Sequence, residues 1–71
     1  MRLVSSSGLI DLPYEDTVLR VGPDNRVWAM CQGKEFPMSG FTSEDDCKAE
    51  LFQARTAFAE GKKSFKFGRS L

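Results

Sequence analysis

Histidine is absent from this 71-residue sequence, and with it the side chain that most often serves as a general base or a metal ligand. The three serines at positions 5–7 therefore have no imidazole that would activate them as nucleophiles. No phosphate-binding loop, dinucleotide fingerprint or zinc-ligand spacing occurs either. We expect a protein that is not an enzyme and that holds no cofactor and no metal ion.

Cysteine is scarce, since Cys31 and Cys47 are the only two and their spacing fits no redox or zinc motif. Two reduced, buried thiols are the simpler expectation, because a disulfide requires an oxidising compartment. Long apolar runs are also missing, because serines follow Met1 to Val4 and Asp11 interrupts the next apolar pair. The sequence therefore predicts neither a signal peptide nor a membrane span, and it favours a cytoplasmic protein.

The chain has no net charge, because ten basic residues balance ten acidic residues. This balance argues against a protein whose main task is to coat nucleic acid. The charges are nevertheless separated along the chain. Acidic residues concentrate at Glu44 to Asp46, whereas all charged residues of segment 61–71 are basic.

Short segments bounded by turn residues occupy positions 1–41 and are typical of β-strands. The best example is a hairpin in which Thr17 to Val21 and Arg26 to Cys31 flank a Gly-Pro-Asp-Asn turn. Alternation in the second strand of this hairpin predicts one apolar face, with Arg26, Trp28 and Met30 on the opposite face. Pro37 weakens the next strand and favours a position at a sheet edge.

Positions 42–60 predict one helix. Thr42 or Ser43 can cap it, and an aspartate three positions further on completes a capping-box pattern. Its apolar stripe consists of Cys47, Leu51, Ala54 and Phe58. The helix therefore has one face that can pack against the strands.

The element order predicts one α+β domain over residues 1–71. We expect a small antiparallel β-meander of about five strands in 1–41, with the helix of 42–60 packed on one face and a basic tail or a final edge strand in 61–71. A chain this short buries little of its surface, and one helix cannot cover all of its large apolar side chains. Met30 and Phe52 are the surplus residues expected at an interface between copies, so the sequence predicts a homo-oligomer.

Binding is the role that the remaining residues favour. Arg20, Arg26 and Trp28 lie on the predicted hairpin, and an arginine beside an aromatic ring can bind a phosphate while the ring stacks on a base. The alternative is a surface arginine that shields a half-buried tryptophan. Phe65 and Lys66 repeat the basic and aromatic pattern near the C-terminus, where the alternative is an edge strand with buried phenylalanines and outward lysines.

The N-terminal segment MRLVSSSGLIDLPYED resembles the start of small proteins from phages, prophages and other mobile elements of Gram-positive bacteria. Their pattern runs Met-Arg-aliphatic-Val-Ser-x-x-Gly-x-Ile-Asp-aliphatic-Pro-Tyr-Glu. The matching residues are Met1, Arg2, Leu3, Val4, Ser5, Gly8, Ile10, Asp11, Leu12, Pro13, Tyr14 and Glu15. The hairpin and the helix start FTSEDD are similar in order, whereas the ending GKKSFKFGRS lies outside the pattern.

The resemblance implies a phage or prophage protein in the cytoplasm of a bacterial host, and phage genes of this size commonly encode inhibitors of host defence. The leading hypothesis is a homo-oligomer that sequesters a nucleotide signalling molecule. Its phosphate ligands would be Arg20, Arg26 and Lys66, and its base-stacking residues would be Tyr14, Trp28 and Phe65. Two alternatives stay open: an anti-CRISPR-like inhibitor that binds a host defence protein through the Trp28–Met30 surface and the acidic helix start, and weak nucleic-acid binding through the C-terminal segment.

Overall fold

The structure is a computed structural model that describes residues 1–68. In chain order its elements are β1 (Arg2–Val4), β2 (Asp11–Pro13), a 3₁₀ turn (Tyr14–Asp16), β3 (Thr17–Val21), β4 (Arg26–Cys31), β5 (Lys34–Gly40), α1 (Glu44–Ala59) and β6 (Ser64–Lys66). This order confirms the predicted α+β class and includes a final short strand after the helix. The end of the predicted basic tail, Arg69 to Leu71, lies outside the described residues.

The strands form two three-stranded sheets, whereas the sequence predicted one meander. The first sheet has the order β2-β1-β6, with β6 parallel to β1, and the second is the antiparallel sheet β3-β4-β5. Pro13 cannot donate a ladder hydrogen bond, and the 3₁₀ turn that follows it directs the chain into the second sheet. The division therefore occurs at the proline corner.

A backbone hydrogen bond joins the two sheets. The N–H of Ser6, in the turn after β1, donates to the carbonyl of Met38 in β5 at 2.8 Å. Met38 lies at a β-bulge, because Val27 pairs with Ser39 while Trp28 pairs with Pro37. The bulge interrupts the β4–β5 ladder and leaves the Met38 carbonyl available to the first sheet.

One hydrophobic core connects both sheets to the helix. Its buried side chains are Leu3, Val27, Ala29, Met38, Cys47, Leu51, Ala54 and Phe67. Ser43 is the helix cap, since its Oγ accepts the N–H of Asp46 at 3.2 Å. Cys31 and Cys47 are both buried and carry free thiols.

Candidate functional site

An open groove of about 520 Å³ lies between β3 and the C-terminal half of α1. We call it the edge groove, and its lining residues are Tyr14, Glu15, Thr17, Val18, Leu19, Arg55 and Phe58. In the described part of the chain, β3 pairs with β4 on one side and with no strand on the other. The volume of the groove lies within the range of roughly 300–1,000 Å³ that is usual for small-molecule sites.

Two stacked aromatic rings form one wall of the edge groove. The ring centroids of Tyr14 and Phe58 are 4.3 Å apart, and the ring planes differ by 21°. Tyr14 is fixed by the proline corner, where its N–H donates to the carbonyl of Met1 at 2.8 Å. Phe58, the last residue of the predicted apolar stripe, is 42% exposed, so its ring offers a stacking surface to a planar ligand.

Arg55 supplies a positive charge beside these rings, and it makes no ion pair or hydrogen bond with the rest of residues 1–68. The other arginines in that range all contact carboxylates: Arg2–Asp11 at 2.7 Å, Arg20–Glu35 at 2.8 Å and Arg26–Asp24 at 3.5 Å. The Arg55 guanidinium is exposed and keeps its donors for an external acceptor. It is therefore the arginine best placed to bind an anion.

Glu15 is the acidic residue of the edge groove, and its charge is already partnered. The ammonium group of Met1 lies 2.7 Å from its Oε2. This hydrogen bond is the main reason that the pKa of the Glu15 carboxyl lies below its ordinary value of 4.5, so the carboxyl is ionised at neutral pH. Because the Met1 ammonium pairs with this carboxylate, Arg55 is the one charged residue of the groove lining that lacks an ion-pair partner within residues 1–68.

The second sheet turns one face towards solvent, opposite the core. We call it the outer face, and its residues include Val18, Arg20, Arg26, Trp28 and Met30. The register places Arg20 opposite Trp28, with Arg26 two residues before Trp28 on the same face. The structure thus brings together three of the predicted binding residues.

Each of these three residues has an intramolecular partner. Arg20 pairs with Glu35, and Arg26 pairs with Asp24. Trp28 is half-buried and donates its Nε1–H to Oδ1 of Asp24 at 3.1 Å, a hydrogen bond that lowers the pKa of Asp24. This arrangement agrees with the alternative of surface arginines beside an anchored tryptophan.

The other predicted residues lie on different elements. Tyr14 lines the edge groove, whereas Phe65 and Lys66 belong to β6 of the first sheet. Phe65 packs edge-on against the buried Phe67 at 5.2 Å, and Lys66 is exposed, as expected for an edge strand with outward lysines. Of the six residues predicted to bind the ligand, only Tyr14 lines this groove.

The two predicted interface residues are both exposed, Met30 by 42% and Phe52 by 67%. Met30 lies on the outer face, whereas Phe52 lies on the helix. Arg55 was not among the candidate site residues predicted from the sequence. The available signal was its spacing of three residues from Phe58, which places both side chains on neighbouring helical turns.

Possible metal ligands and the thiols were also located in the described residues. No group of three or more acidic or cysteine side chains among residues 1–68 is placed to hold a metal ion. Burial raises the pKa of the Cys47 thiol, which keeps it protonated and weakly nucleophilic.

Comparisons of this chain with protein-family models, with curated proteins and with solved structures gave no match. Within residues 1–68 no helix has both the length and the apolar character that a membrane span needs. The geometry of the edge groove is therefore the best guide to a ligand.

Proposed function

We propose that this chain is a non-enzymatic binding protein that captures a phosphate-bearing nucleotide in the edge groove. The base packs against the exposed ring of Phe58, which Tyr14 supports from the other side, and the phosphate binds to Arg55. One observation carries this proposal: Arg55 lies beside two stacked aromatic rings and has no ion-pair partner within residues 1–68. A guanidinium next to an aromatic surface suits a ligand that is planar at one end and anionic at the other.

The proposal moves the phosphate site predicted from the sequence. Arg20 and Arg26 already contact carboxylates, so an incoming phosphate would have to displace Glu35 or Asp24. At Arg55 no carboxylate of residues 1–68 would have to be displaced. A guanidinium can also donate two parallel hydrogen bonds to two oxygens of one phosphate.

The N-terminal resemblance to phage and prophage proteins supplies the biological context of the proposal. Tyr14 and Glu15 belong both to the matched pattern and to the edge groove. We therefore propose that the captured nucleotide is a signal of bacterial host defence and that the protein acts in the host cytoplasm. Capture without turnover requires only a stoichiometric site, which suits a chain without histidine.

Calorimetry with a panel of mononucleotides, cyclic nucleotides and cyclic dinucleotides tests the proposal. We expect one nucleotide class to bind the wild type and to bind R55Q about tenfold to one-hundredfold more weakly, because the substitution removes charge-assisted hydrogen bonds. The matching nucleoside, which lacks the phosphate, should bind wild type and R55Q equally. This equality would assign the lost affinity to the contact between Arg55 and phosphate.

R26Q is the matched control, because it removes an arginine that already has a carboxylate partner. Its nucleotide affinity should stay within about twofold of the wild type, since an exposed ion pair contributes little. Absence of binding heat with every nucleotide would overturn the proposal. A loss in R26Q without a loss in R55Q would place the phosphate on the outer face instead.

An inhibitor of a host defence protein is the second candidate, and a specific observation favours it. Val18 and Met30 face each other across β3 and β4, and they are 65% and 42% exposed. Crosslinking in a host lysate with wild type, M30E and F52E in parallel tests this candidate. A crosslinked protein lost with M30E and kept with F52E would support it, whereas equal capture by both variants would count against it.

A further inference from the structure

We infer that a second copy of this chain pairs antiparallel with the free edge of β3, so that Leu19 lies opposite Leu19 of the second copy. The two sheets β3-β4-β5 then form one continuous six-stranded sheet. This inference concerns assembly: the paired edge borders the edge groove, but the pairing itself is argued and tested without a ligand. Its support is the chemistry of one strand edge.

The edge of β3 lacks the protection that the other edge strands of residues 1–68 possess. β5 carries Lys34, Pro37 and a β-bulge, and proline, lysine and bulges are the usual obstacles to edge pairing. β2 ends at Pro13, and β6 is three residues long and carries Lys66. β3 has five residues with neither proline nor lysine nor a bulge.

Backbone groups on this edge are free to pair. The N–H of Gly22 donates to the carbonyl of Arg26, which fixes the alternation along the hairpin. In this alternating pattern, the N–H and C=O groups of Leu19 and Val21 point away from β4. Within residues 1–68 neither residue makes a backbone hydrogen bond on that side. Thr17 differs, because its N–H already donates to the carbonyl of Tyr14.

These constraints select one register. With Leu19 opposite its own copy, the two Leu19 residues exchange both hydrogen bonds, and each Val21 N–H donates to a Thr17 carbonyl. Placing Val18 opposite Val18 would pair each Leu19 with a Thr17 whose N–H is already used, so no residue pair within the strand could exchange both hydrogen bonds. Placing Arg20 opposite Arg20 would bring like charges together across the interface.

The side chains in this register are self-complementary. On the core side, Thr17 lies opposite Val21 of the second copy, and these two side chains have the same shape. On the outer face, Val18 lies opposite Arg20 of the second copy, whose methylene stem can cover it while its head keeps the contact with Glu35. Because the side chains of β3 are complementary to those of the same strand in the antiparallel direction, a second copy related by a two-fold axis fits this edge.

The pairing also changes the edge groove. Thr17 and Leu19 line the groove, so Val21 of the second copy would lie beside its Thr17 wall. The second copy would thus contribute a side chain to the site, although pairing itself requires no ligand.

Sedimentation equilibrium of the full chain without ligand tests the pairing with three variants. We expect the wild type to show twice the chain mass of 8.0 kDa at high concentration. V18K places a lysine opposite Arg20 of the second copy and should raise the dissociation constant about tenfold or more. V18E places a carboxylate there and should remain dimeric, with an affinity that falls as salt is added. L9K, at a site 88% exposed in the turn after β1, is the matched control and should behave as the wild type.

Amide hydrogen exchange gives a second measurement on the same samples. The Leu19 and Val21 amides should exchange slowly in the dimer and rapidly in V18K, while the core amides of β4 stay protected in both and show that V18K is folded. A wild type of single-chain mass at every concentration would overturn the inference. Dissociation of V18E as complete as that of V18K would overturn the register, because it would place Val18 opposite itself.

Discussion

The outer face and the edge groove meet at the strand β3, where Val18 belongs to both, and they differ in how their arginines are used. On the outer face, Arg20 and Arg26 contact Glu35 and Asp24. In the edge groove, Arg55 contacts no carboxylate of residues 1–68. An exposed ion pair contributes little stability but lowers the availability of its arginine to an external anion. For the proposed binding, the number of arginines therefore matters less than whether an arginine is already paired with a carboxylate.

The aromatic residues of the two regions also differ in whether they are held by an intramolecular partner or left exposed. Trp28 on the outer face lies against the backbone of Gly22 and donates its one polar hydrogen to Asp24. Phe58 in the edge groove stacks on Tyr14 with one side and is 42% exposed. Trp28 thus anchors the hairpin through Asp24, whereas the ring of Phe58 stays partly exposed.

The largest effect is expected from G22A, which disturbs the outer face. A Cβ at Gly22 would lie 2.4 Å from Cδ1 and 2.5 Å from Nε1 of Trp28, so the indole must move and lose its hydrogen bond to Asp24. We expect a loss of about 2 kcal/mol in the free energy of unfolding, measured by urea denaturation and circular dichroism. In a W28V background the same substitution should cost much less. An equal loss in both backgrounds would show that the turn, and not the indole, requires glycine.

The next effect sharpens the description of the edge groove. A double-mutant cycle with Y14A and F58A should give a coupling of about 1 kcal/mol in unfolding free energy, because the rings stack directly. F52A is the control, since Phe52 lies on the same helix and is 67% exposed. We expect F52A to change stability little and to show no coupling with Y14A. Coupling near zero between Tyr14 and Phe58 would contradict the stacked wall of the groove.

Local signals explain which parts of the fold could be predicted from the sequence. The hairpin follows from the turn at 22–25, and the helix start follows from Ser43, because both depend on residues close in the chain. The parallel pairing of β1 with β6 depends on a contact between the two ends of the chain. No local pattern specifies such a contact, so the division into two sheets was not predicted.

The candidate site was predictable only in part for the same reason. Tyr14 was among the residues predicted to bind a ligand, which stays a prediction, and its stacking partner Phe58 lies far away in sequence. The sequence shows where arginines are, whereas the register of the strands decides which of them meets a carboxylate. Arg20 meets Glu35 because both β3 and β5 pair with β4.

A smaller effect is expected on the free energy of unfolding, which should differ between a substitution of the paired Arg20 and one of Arg55. R20Q should lower the unfolding free energy by about 0.5 kcal/mol at low salt, because it removes an exposed ion pair with Glu35. The loss should shrink as salt is added. R55Q should leave the unfolding free energy unchanged at every salt concentration, since Arg55 has no such pair within residues 1–68. Urea denaturation at low and high salt measures both variants, and a salt-dependent loss in R55Q would show that Arg55 is also neutralised.

The smallest effect concerns the charge of Glu15 beside Arg55. Because the Met1 ammonium lowers the pKa of Glu15 in the folded state, this contact stabilises the fold above the ordinary value of 4.5 and is lost as pH falls through the lowered pKa. Wild type should therefore be slightly more stable than E15Q at neutral pH, and the difference should vanish in acid. Thermal unfolding across this pH range measures the difference, with D16N as the neighbouring control. N-terminal acetylation of the wild type should cause the same loss as E15Q, since it removes the other partner. If acetylation had no effect, the carboxylate of Glu15 would remain uncompensated in the groove, and the attraction of Arg55 for a phosphate would be weaker than proposed.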